Sequence, residues 1–203
     1  MAGDGGEPVK PLQAVALGLL LLALGPAEAD PGVFDPLPDP LGWVLVLIGL
    51  YGLGRSLDDV RLGVLRFLGV AALAMSVALV VPAADRWFAS DPSLGWSADI
   101  ARFAFFALLC HELSQSALRA RHTLGASTFS MCALTLIFVL AAPPLAFGAG
   151  WTAVGSAGET AAQIVQVVLV ILCFAFAGRA WAGAPQEETP AAAPDTEGDA
   201  DGS

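Results

Sequence analysis

Apolar residues fall in six blocks of roughly 14 to 22 residues with short polar stretches between them, the repeat set by a hydrocarbon core about 30 Å thick. The blocks predict helices at about residues 12–26, 40–57, 63–83, 99–118, 127–147 and 160–182. Asp30 to Pro40 contains four prolines, each of which removes a donor and fixes its φ, so no regular structure is expected there. Asp39 followed by Pro40 reads as an N-cap with proline at the first helical position. The helix that follows carries Gly42, Gly49, Gly52 and Gly54, a side without bulk that a neighbouring helix can approach closely. Pro82 is expected to end the third helix, and Pro143-Pro144 to kink or end the fifth. From Gly183 onward the Ala, Pro and acidic composition cannot bury a core, so residues 183–203 are expected to form a disordered tail. The predicted fold class is all-α, a polytopic membrane helix bundle over residues 1–182 with about six transmembrane helices.

The first block admits two readings. One is a retained membrane helix; the other is a secretory signal cleaved after Ala27-Glu28-Ala29. The flank ahead of it holds Asp4 and Glu7 against a single Lys10, whereas a signal normally opens on net positive charge. That favours the retained helix.

Composition supports the membrane class: 56% of the 203 residues are hydrophobic and 14% charged, well below the charged content of about 25% usual in soluble domains. Mean hydropathy is +0.70. The formal charge of −10 is concentrated rather than spread, because Glu187, Glu188, Asp195, Glu197, Asp199 and Asp201 all lie in the tail. No basic stripe is present to neutralise phosphates, so a nucleic-acid partner is not expected. Arginine outnumbers lysine eight to one and Ala, Gly and Val abound, which fits a GC-rich bacterial genome and a plasma-membrane location. Cys110, Cys132 and Cys173 all sit in apolar runs without short spacing and read as small buried hydrophobes.

Charge assigns the sides. Lys10 precedes the first helix, Arg55 and Arg61 follow the second, Arg119 and Arg121 follow the fourth, and Arg179 ends the sixth. The alternate junctions are acidic or neutral: residues 26–39 hold four acids and no base, 84–98 set Arg86 against Asp85 and Asp91, and 148–159 hold no base. By the positive-inside rule both termini are expected in the cytoplasm. Trp43, Trp87, Trp96 and Trp151 fall at the expected outer ends and Trp181 at an inner one, as headgroup-level anchors would.

The run Asp35-Pro-Leu-Pro-Asp39-Pro-Leu-Gly42-Trp43, leading into an apolar helix, resembles a pattern in small multi-pass bacterial membrane proteins, roughly L-P-D-x-x-G-[YW]. That resemblance implies a helix opening on the outer side and no particular activity.

The fourth helix carries the most polar membrane segment, Cys110-His111-Glu112-Leu113-Ser114-Gln115-Ser116. On a helix Glu112, Ser116 and Arg119 share one face, with His111, Ser114 and Gln115 beside it. A carboxylate there must be protonated, paired or beside water. Arg119 or Arg102 is the expected counter-charge, and an ion- or proton-handling Glu112 is the functional alternative. His111-Glu112-Leu113-Ser114-Gln115 departs from the H-E-x-x-H zinc motif at the second ligand, and His122 stands about 16 Å along the axis, so no metal site is expected. Glu159, Gln163 and Gln166 share a face of the sixth helix, where amides bond across helices.

No nucleophile has a base at usable spacing, so the expectation is a non-catalytic membrane protein, not an enzyme, needing no cofactor. Its expected surroundings are the bilayer and protein partners, or a second copy engaged through the glycine-rich helix 40–57. The alternative is a small proton- or ion-coupled transporter using Glu112 and His111. It draws on the three-plus-three helix order and on the Gly-rich second and Pro-interrupted fifth helices.

Overall fold

A computed structural model describes residues 10–24, 38–54 and 59–184. Every regular element among them is helical: α1 (Pro11–Ala23), α2 (Pro38–Leu53), α3 (Asp59–Leu79), α4 (Pro82–Ala89), α5 (Pro92–Arg119), α6 (Thr123–Ala149) and α7 (Thr152–Phe176), with a 3-10 turn at Ala180–Ala182. Four spans are long and apolar enough to cross a membrane: Val60–Leu79, Ser93–Arg119, Thr123–Ala149 and Thr152–Phe176. Their exposed faces are apolar, with Phe67 and Val70 on α3, Ile137 and Phe138 on α6, and Ile164 and Ile171 on α7. A helix that is apolar on its outward face belongs in hydrocarbon. The chain is a multi-pass membrane helix bundle.

Two of the six expected spans are shorter than a full crossing. α1 has 13 residues and α2 has 16, about 20 and 24 Å at 1.5 Å per residue. They pack closely on each other because glycines face glycines. A Cβ on Gly18 would stand 2.5 Å from the Gly42 carbonyl oxygen, and one on Gly49 would stand 2.7 Å from the Pro11 oxygen. The glycine side of the second helix is thus taken up by α1 within the same chain.

The helices pack in a ring, α1 on α2, α2 on α3, α3 on α5, α5 on α6, α6 on α7, and α7 back on α1. The core of that ring runs from Leu12 and Leu19 through Leu50, Leu65, Phe105, Phe129 and Leu169. Trp43 is also in it, 1% exposed, stacked on Phe106 at 5.8 Å and edge-on to Phe105 at 5.3 Å. It is therefore a core residue and not a headgroup anchor. Trp87 and Trp151 are exposed, as anchors would be.

Proline explains most boundary shifts. Pro38 and Pro40 both fit in the first turn of α2, where no N–H is needed, so Asp39 lies inside that turn and not at the cap. α3 ends at Leu79, and Pro82 opens the separate helix α4. Asp91 caps α5 by accepting from the Ser93 N–H at 2.7 Å, with Pro92 at the first position. The stretch expected as a loop, 84–98, is accordingly helical, and α5 begins seven residues before the expected 99. α7 likewise begins at Thr152 and not at 160. Pro143 and Pro144 do not end α6, which continues to Ala149 and closes on Gly150 at φ 72. A left-handed residue is the usual helix stop, and glycine takes it without steric penalty. The expectations for residues 1–9, 25–37, 55–58 and 185–203, among them the tail and Arg55, lie outside the described residues.

The glycine contact makes a paired prediction. Gly18→Ala places a methyl against backbone that cannot yield, and overpacking of this kind costs about 1–3 kcal/mol. Gly63 has no atom within 4 Å of an added Cβ. Thermal denaturation in detergent should show a lowered Tm for Gly18→Ala and an unchanged or raised Tm for Gly63→Ala.

Candidate functional site

Antiparallel packing gathers charge at the two ends of the bundle. Lys10, Arg61, Arg66, Arg119, Arg121 and Arg179 lie toward one end, and Asp39, Asp91, Asp99 and Glu159 toward the other. Near the basic end, α5 turns Glu112 fully inward at 0% exposure. Arg61, in the first turn of α3, donates from Nη1 to Glu112 Oε1 at 2.8 Å. The arginine side chain is 47% exposed, so its stem follows the bundle while part of the guanidinium keeps solvent. Glu112 Oε2 is buried and has no hydrogen-bond partner.

The counter-charge is therefore Arg61 of α3 and neither of the arginines expected. Arg119 is seven residues along α5, about 10 Å, and exposed at the helix end. Arg102 is ten residues the other way and donates to Gln166. Of the four residues expected to form one polar cluster, Glu112 and Ser116 are buried while His111 and Arg119 are exposed. The fold does not bring them together as one site.

Nearby polar groups are engaged structurally. Ser114 Oγ donates to the Ala126 carbonyl at 2.8 Å and ties α5 to α6. His122 caps α6, its Nδ1 accepting the Gly125 N–H at 3.0 Å, while its ring packs on Phe176 and Trp181. Arg66 lies 4.5 Å over the Tyr51 ring. All three cysteines are free and buried. Among the described residues no group of three or more His, Cys, Asp or Glu is placed to hold a metal ion.

Toward the acidic end, α5, α6 and α7 wall a cavity of about 750 Å³. Small residues on its wall let α6 and α7 approach closely: a Cβ on Gly155 would stand 3.1 Å from the Ala146 Cβ and one on Gly158 2.6 Å from the Ala142 Cβ. Arg102 enters it from α5 and donates from Nη2 to Gln166 Oε1 of α7 at 2.7 Å, with its guanidinium 5.7 Å from the Phe103 ring. Gln166 thus bonds across helices, as its place on the polar face of the sixth helix implied. Three buried nitrogens on this wall, Arg102 Nε, Trp96 Nε1 and Gln166 Nε2, have no acceptor. Asp99 and Glu159 complete the lining, both exposed. Asp99 is close enough to Arg102 and Asp39 to feel both charges. In the sequence Arg102 reads only as a partner for Glu112. The signal for its own site was an arginine ten residues inside a long apolar helix, a position that demands either a partner or water.

No protein-family model matches the chain, and neither a curated protein nor a solved structure matches it.

Proposed function

We propose that this protein acts in the membrane by interaction and not by catalysis, with Glu112 as a structural counter-charge. The observation that carries this reading is the 2.8 Å bond from Arg61 to a fully buried Glu112. The bond ties α5 to α3 and occupies one carboxylate oxygen. His111, the other half of the proton-handling alternative, is exposed away from it. α1 takes up the Gly42 and Gly49 side of α2, and the surfaces open to lipid or to a partner in the bilayer are the apolar outward faces of the helices, among them those of α3, α6 and α7. The orientation in this reading puts the basic end in the cytoplasm, with both termini there, in a bacterial plasma membrane.

A proton-coupled carrier is the second reading, favoured by Glu112 Oε2, a buried oxygen without a partner that offers a place for a proton. The variant Glu112→Gln separates the two. If the residue is structural, the variant removes the charged acceptor that Arg61 bonds and loses about 1–3 kcal/mol of stability, read as a lower Tm in detergent. A variant as stable as the wild type, reconstituted in liposomes and lacking a proton flux that the wild type shows, would reverse the assignment.

The orientation has its own test. Reporter fusions after residue 58, after 122 and at the C-terminus should report cytoplasm, and fusions near 33, 90 and 153 the outer side. A cytoplasmic signal from residue 153 would remove the α6 or α7 crossing from the topology.

A further inference from the structure

The cavity between α5, α6 and α7 has a polarity that its own residues do not satisfy. Arg102 carries five N–H donors, and its one hydrogen bond goes to a neutral amide, Gln166. No carboxylate of the described residues is in salt-bridge contact with it. It stands ten residues into α5, about 15 Å along the axis, where a cation without a directly bonded carboxylate is expensive, and Asp99 acts on it only from beyond salt-bridge distance. Trp96 Nε1 and Gln166 Nε2 add two buried donors without acceptors on the same wall. One side of this space is therefore rich in N–H donors that have no acceptor.

The rest of the lining is apolar or neutral apart from two groups of the opposite sign. Asp99 and Glu159 are exposed carboxylates on the cavity wall, and Asp39 of α2 adds its charge beside Asp99. A simple anion would be repelled by these carboxylates, and a simple cation would face the guanidinium. A ligand with both charges a few bonds apart satisfies both sides. The volume, about 750 Å³, lies within the range of about 300–1,000 Å³ usual for small-molecule sites.

We propose that this cavity binds a zwitterion, with its oxyanion on Arg102 and the neighbouring Trp96 and Gln166 donors and its ammonium beside Asp99 and Glu159. Phosphoethanolamine chemistry fits this description, and it has two sources, the headgroup of a bilayer lipid and the free compound. This site is separate from the Glu112–Arg61 pair and does not depend on the role given to that pair.

The test uses the full-length protein purified in detergent. Native mass spectrometry follows retained lipid after exposure to phosphatidylcholine vesicles containing either phosphatidylethanolamine or phosphatidylglycerol, and calorimetry follows titration with free phosphoethanolamine. The expected result is preferential retention of phosphatidylethanolamine, saturable binding of phosphoethanolamine, or both. Binding to lipid alone assigns the headgroup as the source, and competition by the free compound assigns a soluble ligand. Arg102→Gln should weaken whichever binding is seen at least tenfold. Glu159→Gln, an exposed change that leaves the fold intact, should abolish the preference for phosphatidylethanolamine over phosphatidylglycerol or weaken phosphoethanolamine several-fold. The proposal is overturned by an absence of binding in both arms, by equal retention of the two lipids without phosphoethanolamine binding, or by binding that Glu159→Gln leaves unchanged.

Discussion

A carboxylate cannot remain ionised and alone in the interior of a membrane bundle. Glu112 meets that constraint through one arginine on a neighbouring helix. The bond joins α3 to α5, and α3 otherwise turns much of its surface outward, with Val60, Val64, Phe67, Val70 and Val77 exposed. Apolar packing in a bilayer supplies little drive to choose one neighbour over another, since lipid tails are as apolar as the side chains. A charge-assisted bond in low dielectric is directional. The Arg61–Glu112 pair therefore specifies which helix closes the ring between α2 and α5, and in what register.

Other contacts in the ring use different physics. The α1–α2 seam is set by glycine, where backbone meets backbone and an added methyl would collide. Around Trp43 the ring is filled by aromatic packing against Phe105 and Phe106. The α6–α7 seam again depends on small residues, and near Gly155 and Gly158 it opens with α5 into the cavity beside Arg102. Charge, small-residue contact and aromatic filling thus act at different points of one closed arrangement. Two arginines of the bundle take different roles in it. Arg61 is matched by a carboxylate, whereas Arg102 is held by an amide and faces open space.

Much of the fold was legible in the sequence because hydrophobic runs and proline signals act locally. The helical class, the long apolar spans and the small-residue side of α2 follow from patterns within a single segment. Boundaries near proline were misread for a physical reason. Asp91-Pro92 is a cap followed by proline at the first helical position, but the polar residues after it mask the two turns that precede Asp99. Pro143 and Pro144 carry the signal of a helix kink or end, yet α6 runs through them. Trp43 showed its depth in the chain but not its facing, since a tryptophan near a helix end packs inward when aromatic neighbours offer a pocket. The candidate site was half legible: Glu112 declared itself by being charged in an apolar run. Its partner lies 51 residues away, and only the order of helices around the ring selects Arg61 over Arg119 or Arg102.

A double-mutant cycle at Arg61 and Glu112 measures the tie between α3 and α5 directly. Denaturation of Arg61→Gln, Glu112→Gln and the double variant in the same detergent gives the coupling free energy. Residues in direct contact in one charged pair couple by about 0.5–3 kcal/mol, so the double variant should be clearly less destabilised than the sum of the two single changes. Additive losses, with a coupling indistinguishable from zero, would contradict the pairing and with it the account of how the ring is closed.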